Sequence, residues 1–252
     1  MPTPYYSDDL ATIYLGDSRE ILLELQATTT VDLVITDPPY GIDYLSKARK
    51  NRVFTEDGVD LLGKIANDTT DTFDTLLEAV IDAVLPMLPE EAATYWFAAP
   101  LMLATVMPLF EDLDIANVLV WNKGQATMGD LKTTYGRYWE AIIYARKGKP
   151  ALIGGRDKDV LNFLRGNSKE YLHPTQKPQA LLRYLISRHN SMMILDPFMG
   201  SGTTIRAAKD LGRRSIGIEI DEKYCDMAAR RVEGLRRNWA QQAHILPLEP
   251  VV

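Results

Sequence analysis

The stretch Met193–Thr204, MILDPFMGSGTT, starts with apolar residues, reaches an acid and breaks into a glycine-marked turn before two threonines. It reads as a strand, an acidic residue at its tip, a glycine-rich turn and a helix running to Leu211, where Gly212 stops it. Gly200 and Gly202 can take positive φ and leave no side chain in the way of a ligand at a helix N-terminus. A lone glycine turn can equally do no more than pack a helix on a strand. The next predicted strand, Ser215–Ile220 (SIGIEI), adds a second acid, Glu219, where a carboxylate can accept both hydroxyls of a ribose.

The loop is not the phosphate-binding lysine loop, because no Gly-Lys-Ser/Thr follows. It also departs from the dinucleotide fingerprint, since Asp196 at the strand tip would repel a pyrophosphate. The inferred ligand is a nucleoside that carries positive charge. S-adenosylmethionine, with its ribose, adenine and sulfonium-bearing amino acid, fits.

Far upstream, Val31–Tyr40 (VDLVITDPPY) is a second strand that stops on an acid, two prolines and a ring. Neither proline can donate to a β-ladder, and each holds its predecessor extended, so Asp37 and Tyr40 leave the sheet in a rigid turn. Taken alone, a proline pair can also simply end a strand, with Asp37 a solvated turn residue. In open α/β sheets, however, that carboxyl end is where ligands bind.

Between and around these two turns the pattern alternates strand and helix. Strands are expected at Ala11–Leu15, Thr94–Ala99, Ile115–Trp121 and Trp139–Ala145. Helices are expected at Arg19–Leu25, Asp74–Leu88 and Leu101–Leu113, after an opening HPTQKP that puts Pro178 in an early helical position, and from Asp221 to about Asn238. Residues 41–72 read as a long mobile loop with a basic beginning. The segment between the two strands around NKGQATMGDLKTTYGRY is too long for a tight hairpin.

At 252 residues, 46% hydrophobic and 25% charged, the chain fits one large α/β domain spanning 1–252 or two small ones. No apolar run reaches membrane-spanning length, and the opening MPTPYYSDDL lacks a signal-peptide pattern, so a cytoplasmic protein is expected. Its one cysteine, Cys225, excludes an intramolecular disulfide and a cysteine-rich zinc site; His173, His189 and His244 are too scattered to suggest any metal.

The formal net charge of −6 argues against an all-round basic surface, but charge is local. Arg146–Glu170 holds seven basic residues against three acids, and SKARKNR after the proline turn adds Lys47, Arg49, Lys50 and Arg52. Such runs are commonly solvated faces. Flanking a candidate site, Lys47, Arg49, Lys50, Arg52, Arg156, Lys158, Arg165 and Lys169 are candidate phosphate contacts.

DPPY together with DPFMGSGTT, HPTQKP and GIEID resembles the DNA amino-methyltransferases, which modify the exocyclic nitrogen of adenine or cytosine. DPPY preceding the glycine loop resembles their circularly permuted β group. The likeness covers nearly the whole chain, from Gly16-Asp17 to the helix after Asp221. It implies a Rossmann-like α/β fold, with a mostly parallel seven-stranded sheet, helices on both faces and the last two strands central. It also implies S-adenosylmethionine as cofactor, double-stranded DNA as partner and room for a homodimer.

Carried over by position, Asp196, Phe198, Gly200 and Gly202, with Ser201 and Thr203, would line the methionine side of the cofactor. Glu219 would hold the ribose and Asp17 the adenine, with Thr175 and Lys177 closing over the methionine carboxylate. Asp37, Pro38, Pro39 and Tyr40 would form the catalytic turn, with Tyr40 stacking on the target base and Phe54 a further candidate for closing over it. Glu140 matches a recurrent family acid and reads as scaffold. The 147–172 segment is short for a target-recognition element. Asp37, where cytosine enzymes more often show serine, points to adenine N6; cytosine N4 and an inactive binding protein are the alternatives.

Overall fold

A computed structural model of the chain describes residues 1–39, 70–127, 132–164 and 176–234. Its strands are β1 (Tyr6–Ser7), β2 (Ala11–Leu15), β3 (Leu33–Thr36), β4 (Ala92–Ala98), β5 (Asp114–Thr127), β6 (Arg137–Lys147), β7 (Val160–Asn162), β8 (Met193–Asp196) and β9 (Arg214–Glu219). Its helices are α1 (Ser18–Leu25), α2 (Thr70–Val84), α3 (Leu103–Val106), α4 (Gln179–Ser187), α5 (Thr203–Asp210) and α6 (Glu222–Glu233).

All the described strands form one sheet in the order β1-β2-β9-β8-β3-β4-β6-β5-β7. The pairings β2–β9, β9–β8, β8–β3, β3–β4 and β5–β7 are parallel, whereas β1–β2, β4–β6 and β5–β6 are antiparallel. Among the described residues the sheet is therefore mixed and has nine strands where the sequence predicts seven. The additions are the short edge strands β1 and β7. With them set aside, the expected seven remain, with β8 and β9 between β2 and β3.

β3 is apolar because it is buried on both faces. Val34 packs with Leu22, Leu25, Phe73 and Val80, on the side of α1 and α2. Leu33 and Ile35 face the other way, toward Leu181, Leu185 and Ala208 of α4 and α5. Strands covered on both faces read as continuous hydrophobic runs.

Three boundaries differ from the sequence reading. Leu101–Leu113 is not one helix but the short α3 between 3-10 turns at Pro100–Met102 and Met107–Phe110, because Pro100 and Pro108 lack the N–H a continuous helix needs. The segment after Trp121 is not all loop: β5 and β6 stay paired to Thr127 and Arg137, with a register irregularity between Asn122 and Thr127. Pro178 is the cap before α4 rather than a helical residue, with φ −60 and ψ 129. Asp221 caps α6 as expected, accepting from the Lys223 N–H; residues beyond 234 lie outside the described ones.

Because β6 outruns β4, whose last pairing is Ala98 with Ala141, Glu140 and its predecessors overhang the carboxyl rim of the sheet. That rim is also where β3 and β8 end.

Candidate active site

β3 and β8 are adjacent and parallel, with Leu33 opposite Ile194 and Val34 opposite Leu195. The acidic proline turn and the glycine turn therefore leave the sheet at the same rim. They are tied there by a hydrogen bond: the Thr36 hydroxyl donates to Asp196 Oδ1 over 2.7 Å. The Phe198 N–H donates to the same oxygen at 3.2 Å. Asp196 is buried. Burial pushes its carboxyl up to about 7, against the hydroxyls of Thr204 and Thr36 and the Phe198 N–H, while the charge of Asp37 adds to the push.

Gly200 and Gly202 sit at φ +52 and +77. The two differ in what a side chain would meet. A Cβ on Gly200 would have no atom within 4 Å, so this residue faces open space, while one on Gly202 would lie 2.6 Å from the Cβ of Ala228 in α6. Gly200 thus leaves the backbone of the turn bare toward open space; Gly202 lets α5 start against α6. The hydroxyls of Ser201 and Thr203 accept from Arg231 Nη1 at 3.4 and 2.8 Å, and Gln176 Oε1 accepts from Arg231 Nη2 at 2.9 Å.

Glu219, at the end of β9, is half-buried and borders the same turn. Its Oε2 accepts from the Gly200 N–H and its Oε1 from the Asp221 N–H, both at 2.9 Å. Burial raises its pKa against those two bonds. Each oxygen keeps a second lone pair. Asp17 caps α1, accepting from the Arg19 N–H at 2.9 Å and pairing with the Arg19 guanidinium at 2.5 Å. The guanidinium holds its carboxyl below the ordinary range. The neighbouring Ser18 hydroxyl donates to the Pro197 carbonyl, joining the end of β2 to the glycine turn.

Lys177 is the group whose surroundings the sequence conceals. Its Nζ lies 2.6 Å from Asp37 Oδ2 and 3.2 Å from Glu140 Oε2, and 5.0 Å from the centre of the Phe97 ring. Glu140 Oε1 in turn pairs with Lys123 Nζ at 3.2 Å. Lys123, Glu140, Lys177 and Asp37 thus form a ladder of alternating sign. Burial alone would push the Lys177 pKa down, but the two carboxylates outweigh it and raise it. Burial likewise works to raise Glu140, and the two ammoniums outweigh it and hold its carboxyl down.

Of the sequence-predicted residues, Asp37, Pro38, Lys177, Asp196, Phe198, Gly200, Ser201, Gly202, Thr203 and Glu219 come together along this rim, with Asp17 at the end of β2. Lys177, expected over the methionine carboxylate, instead pairs with the Asp37 carboxylate and with Glu140. Arg156 and Lys158 are exposed, on the segment leading to β7. Tyr40, Lys47, Arg49, Lys50, Arg52, Phe54, Arg165, Lys169, His173 and Thr175 lie outside the described residues. Thr36, Lys123 and Arg231 are additions, and Glu140, read as scaffold, contacts Lys177. His189 is structural: buried, with Nε2 2.8 Å from the Tyr95 hydroxyl, it has its pKa pushed down to about 4 by desolvation.

A bare glycine turn bordered by Asp196 and Glu219 suits a nucleoside carrying positive charge. A family model described as DNA methylase, covering the N6 and N4 enzymes, matches residues 31–230. The chain belongs to this family of DNA methyltransferases. Among its relatives, the type II methyltransferase M2.DpnII of Streptococcus pneumoniae is 28% identical, over 92% of this chain and 93% of its own. The DNA adenine methyltransferase YhdJ of Escherichia coli is 27% identical, over 90% and 84%. The crystal structure of M1.HpyAVI with SAM has a TM-score of 0.65 at 25% identity, covering 88% of this chain and 100% of that one. The cytosine-N4-specific PvuII DNA methyltransferase shares the fold, with a TM-score of 0.66 at 16% identity, over 92% and 96%. Among the described residues, no helix of this methyltransferase is long and apolar enough to cross a membrane.

Proposed function

We propose that this DNA methyltransferase transfers a methyl group from S-adenosylmethionine to the exocyclic N6 amine of adenine in double-stranded DNA. The observation that carries the reading is the Thr36–Asp196 hydrogen bond, which sets the Asp37-Pro38 turn beside the glycine turn. A methyl donor on one turn and an amine on the other would meet at one rim. Positioning supplies much of the rate in such a displacement.

An exocyclic amine is a poor nucleophile because its lone pair is delocalised into the ring. The Asp37 carboxylate and the Pro38 carbonyl would accept its two N–H bonds and turn the lone pair out of conjugation. Pro38 and Pro39 matter because the carbonyl must be offered at a fixed angle. S-adenosylmethionine supplies a methyl group on a positively charged sulfur, whose bond breaks with the electron pair left on sulfur as the amine's lone pair forms the new N–C bond. The nitrogen sheds one proton, which Asp37 takes and passes to water.

On the cofactor side, Gly200 gives backbone room, Glu219 can bind the ribose hydroxyls, and Asp196 places negative charge near the sulfonium. Asp17 would meet the adenine; Phe198, Ser201, Gly202, Thr203 and Thr175 would close the methionine end, while Lys177, held by Asp37 and Glu140, stands on the amine side. The target base must leave the helix, as methyltransferases generally require, and Tyr40 would stack on it. Lys47, Arg49, Lys50, Arg52, Arg156, Lys158, Arg165 and Lys169 would contact phosphates, with residues 41–72 and 147–172 meeting the target. A homodimer is compatible with this reading.

Aspartate at position 37 supports adenine over cytosine. Mass spectrometry of nucleosides from DNA methylated by the purified protein tests it: N6-methyladenine is expected. N4-methylcytosine in its place would overturn the base assignment, and no methylated nucleoside would overturn the activity.

A further inference from the structure

Lys177 sits between two carboxylates that it serves unequally. Toward Asp37 it makes a hydrogen bond of 2.6 Å. Toward Glu140 the 3.2 Å approach is an ion pair outside hydrogen-bond geometry, so among the described residues Glu140 Oε2 is a buried acceptor held by the charge of Lys177 alone. Buried polar atoms are rarely left so, and each case calls for a reason. Glu140 cannot turn away to find another donor, because Lys123, itself buried, holds its other oxygen at 3.2 Å.

The reaction supplies a reason. In the resting site an ammonium occupies Asp37 Oδ2, the kind of atom that must accept an N–H from the incoming amine and then take its proton. A cation held on that oxygen opposes both, and it repels the positive charge that grows on the nitrogen as the methyl group arrives. Expelling Lys177 into water is blocked by its burial and by the Phe97 ring beneath it. A second negative seat within the same pocket lets the lysine let go of Asp37 without being desolvated and unpaired.

We infer that Glu140 is a positioning residue for methyl transfer: its Oε2 is the seat to which Lys177 moves its hydrogen bond when the target amine takes up Asp37. Glu140 does not touch the substrate. It acts through Lys177, and Lys123 acts through Glu140 by fixing where that seat lies. The inference rests on the reading of Asp37 as the amine acceptor. A ladder that served only to hold the fold would stabilise the protein whether or not it released Asp37; a seat for Lys177 changes the chemical step.

The test compares wild type, Glu140→Gln, Lys177→Met and the double variant in single-turnover methyl transfer to DNA at saturating S-adenosylmethionine, with cofactor affinity measured by calorimetry. Glu140→Gln keeps the shape but removes the charge from the seat, so Lys177 stays on Asp37. Its single-turnover rate is expected to fall by about tenfold or more while cofactor affinity changes less than about threefold. The double variant, with no ammonium left to displace, is expected to be at least about fivefold faster than Glu140→Gln alone. A Glu140→Gln rate within about twofold of wild type overturns the inference, and so does a double variant no faster than the single one. Glu140→Asp, which draws the charged seat back, is expected to slow the step in the same direction and decides the matter where Glu140→Gln does not fold. An unimpaired Asp37→Ala variant would overturn the reading of Asp37, and with it this inference, whereas an inactive Asp37→Ala beside an unimpaired Glu140→Gln would overturn the inference alone.

Discussion

Thr36 and Asp196, 160 residues apart in sequence, are joined by a 2.7 Å hydrogen bond between the ends of neighbouring parallel strands. The bond does two things. It aligns the acidic proline turn with the glycine turn, and it stabilises the charged form of a buried carboxylate. Thr36→Val keeps the shape and loses the donor. Loss of a hydrogen bond to a charged, buried group costs about 1.5–3 kcal/mol, so the variant should melt earlier and methylate more slowly. Thermal melting and a methyl-transfer assay check this; unchanged values in both would show that the two turns are held together by other contacts.

Asp37→Ala should lower methyl transfer by about a thousandfold or more, since it removes the group proposed to act on the developing charge. Affinity for S-adenosylmethionine should stay within a few-fold. The same change strips Lys177 of its shorter ion pair, so a modest loss of stability is expected as well. Calorimetry and a tritiated-methyl assay on one preparation separate the two effects. Lost cofactor affinity with normal turnover would place Asp37 on the wrong side of the site.

The two glycines of the turn predict different failures. A valine at Gly200 would project into the open space beside Glu219, at a φ of +52 that a branched side chain resists, and should abolish cofactor binding. Alanine at Gly202 would press on Ala228, and overpacking of this kind costs typically about 1–3 kcal/mol. Gly202→Ala should therefore show first as a lower melting temperature. An unchanged dissociation constant in Gly200→Val would remove the turn from the cofactor site.

Arg156 and Lys158, exposed beside β7, are proposed phosphate contacts. If each neutralises one phosphate, replacing either by alanine should reduce the slope of log affinity against log salt by about 1, with little change in sequence preference. Fluorescence anisotropy on duplex DNA over a salt series reads this directly. A slope equal to wild type would make them a solvated face.

The parts of this molecule that were legible in the sequence are those written in local chemistry. The double-sided burial of β3, the stop at Pro38-Pro39, the positive-φ glycines and the Asp221 cap are each set by a few adjacent residues. The partner of Lys177 was not legible, because Asp37 lies 140 positions away and only the sheet order brings them together. A fainter signal was present. Trp121 and Lys123 share one face of β5, as Glu140, Ile142 and Tyr144 share one face of β6, and a lysine and a glutamate on faces otherwise buried call for each other. The continuation of β5 and β6 past Trp121 gave no apolar signal, since beyond the edge of β4 the pairing is carried by backbone hydrogen bonds between mostly exposed residues.

The buried Asp196 sets a pH dependence whose sign can be worked out. Its folded pKa of about 7 stands above the ordinary 3.8, so the folded state holds the proton more tightly than the unfolded chain. The stability this provides is complete below about pH 4 and is lost as pH rises through 7. His189 works oppositely: its folded pKa of about 4 lies below the ordinary 6.5, so its contribution is present above 6.5 and is lost as pH falls toward 4. The two offset each other between 4 and 6.5, and the raw stability curve conceals both. The difference between wild type and Asp196→Asn isolates the aspartate, and should change by on the order of a few kcal/mol from pH 5 to pH 8 in chemical denaturation. A cation bound beside Asp196 favours its charged form, so affinity for S-adenosylmethionine should strengthen from pH 6 to pH 8 in the wild type and stay flat in Asp196→Asn. Parallel pH profiles for the two proteins, in stability and in cofactor affinity alike, would mean that the carboxyl is already ionised in the folded chain and that the Thr36, Thr204 and Phe198 donors outweigh its burial.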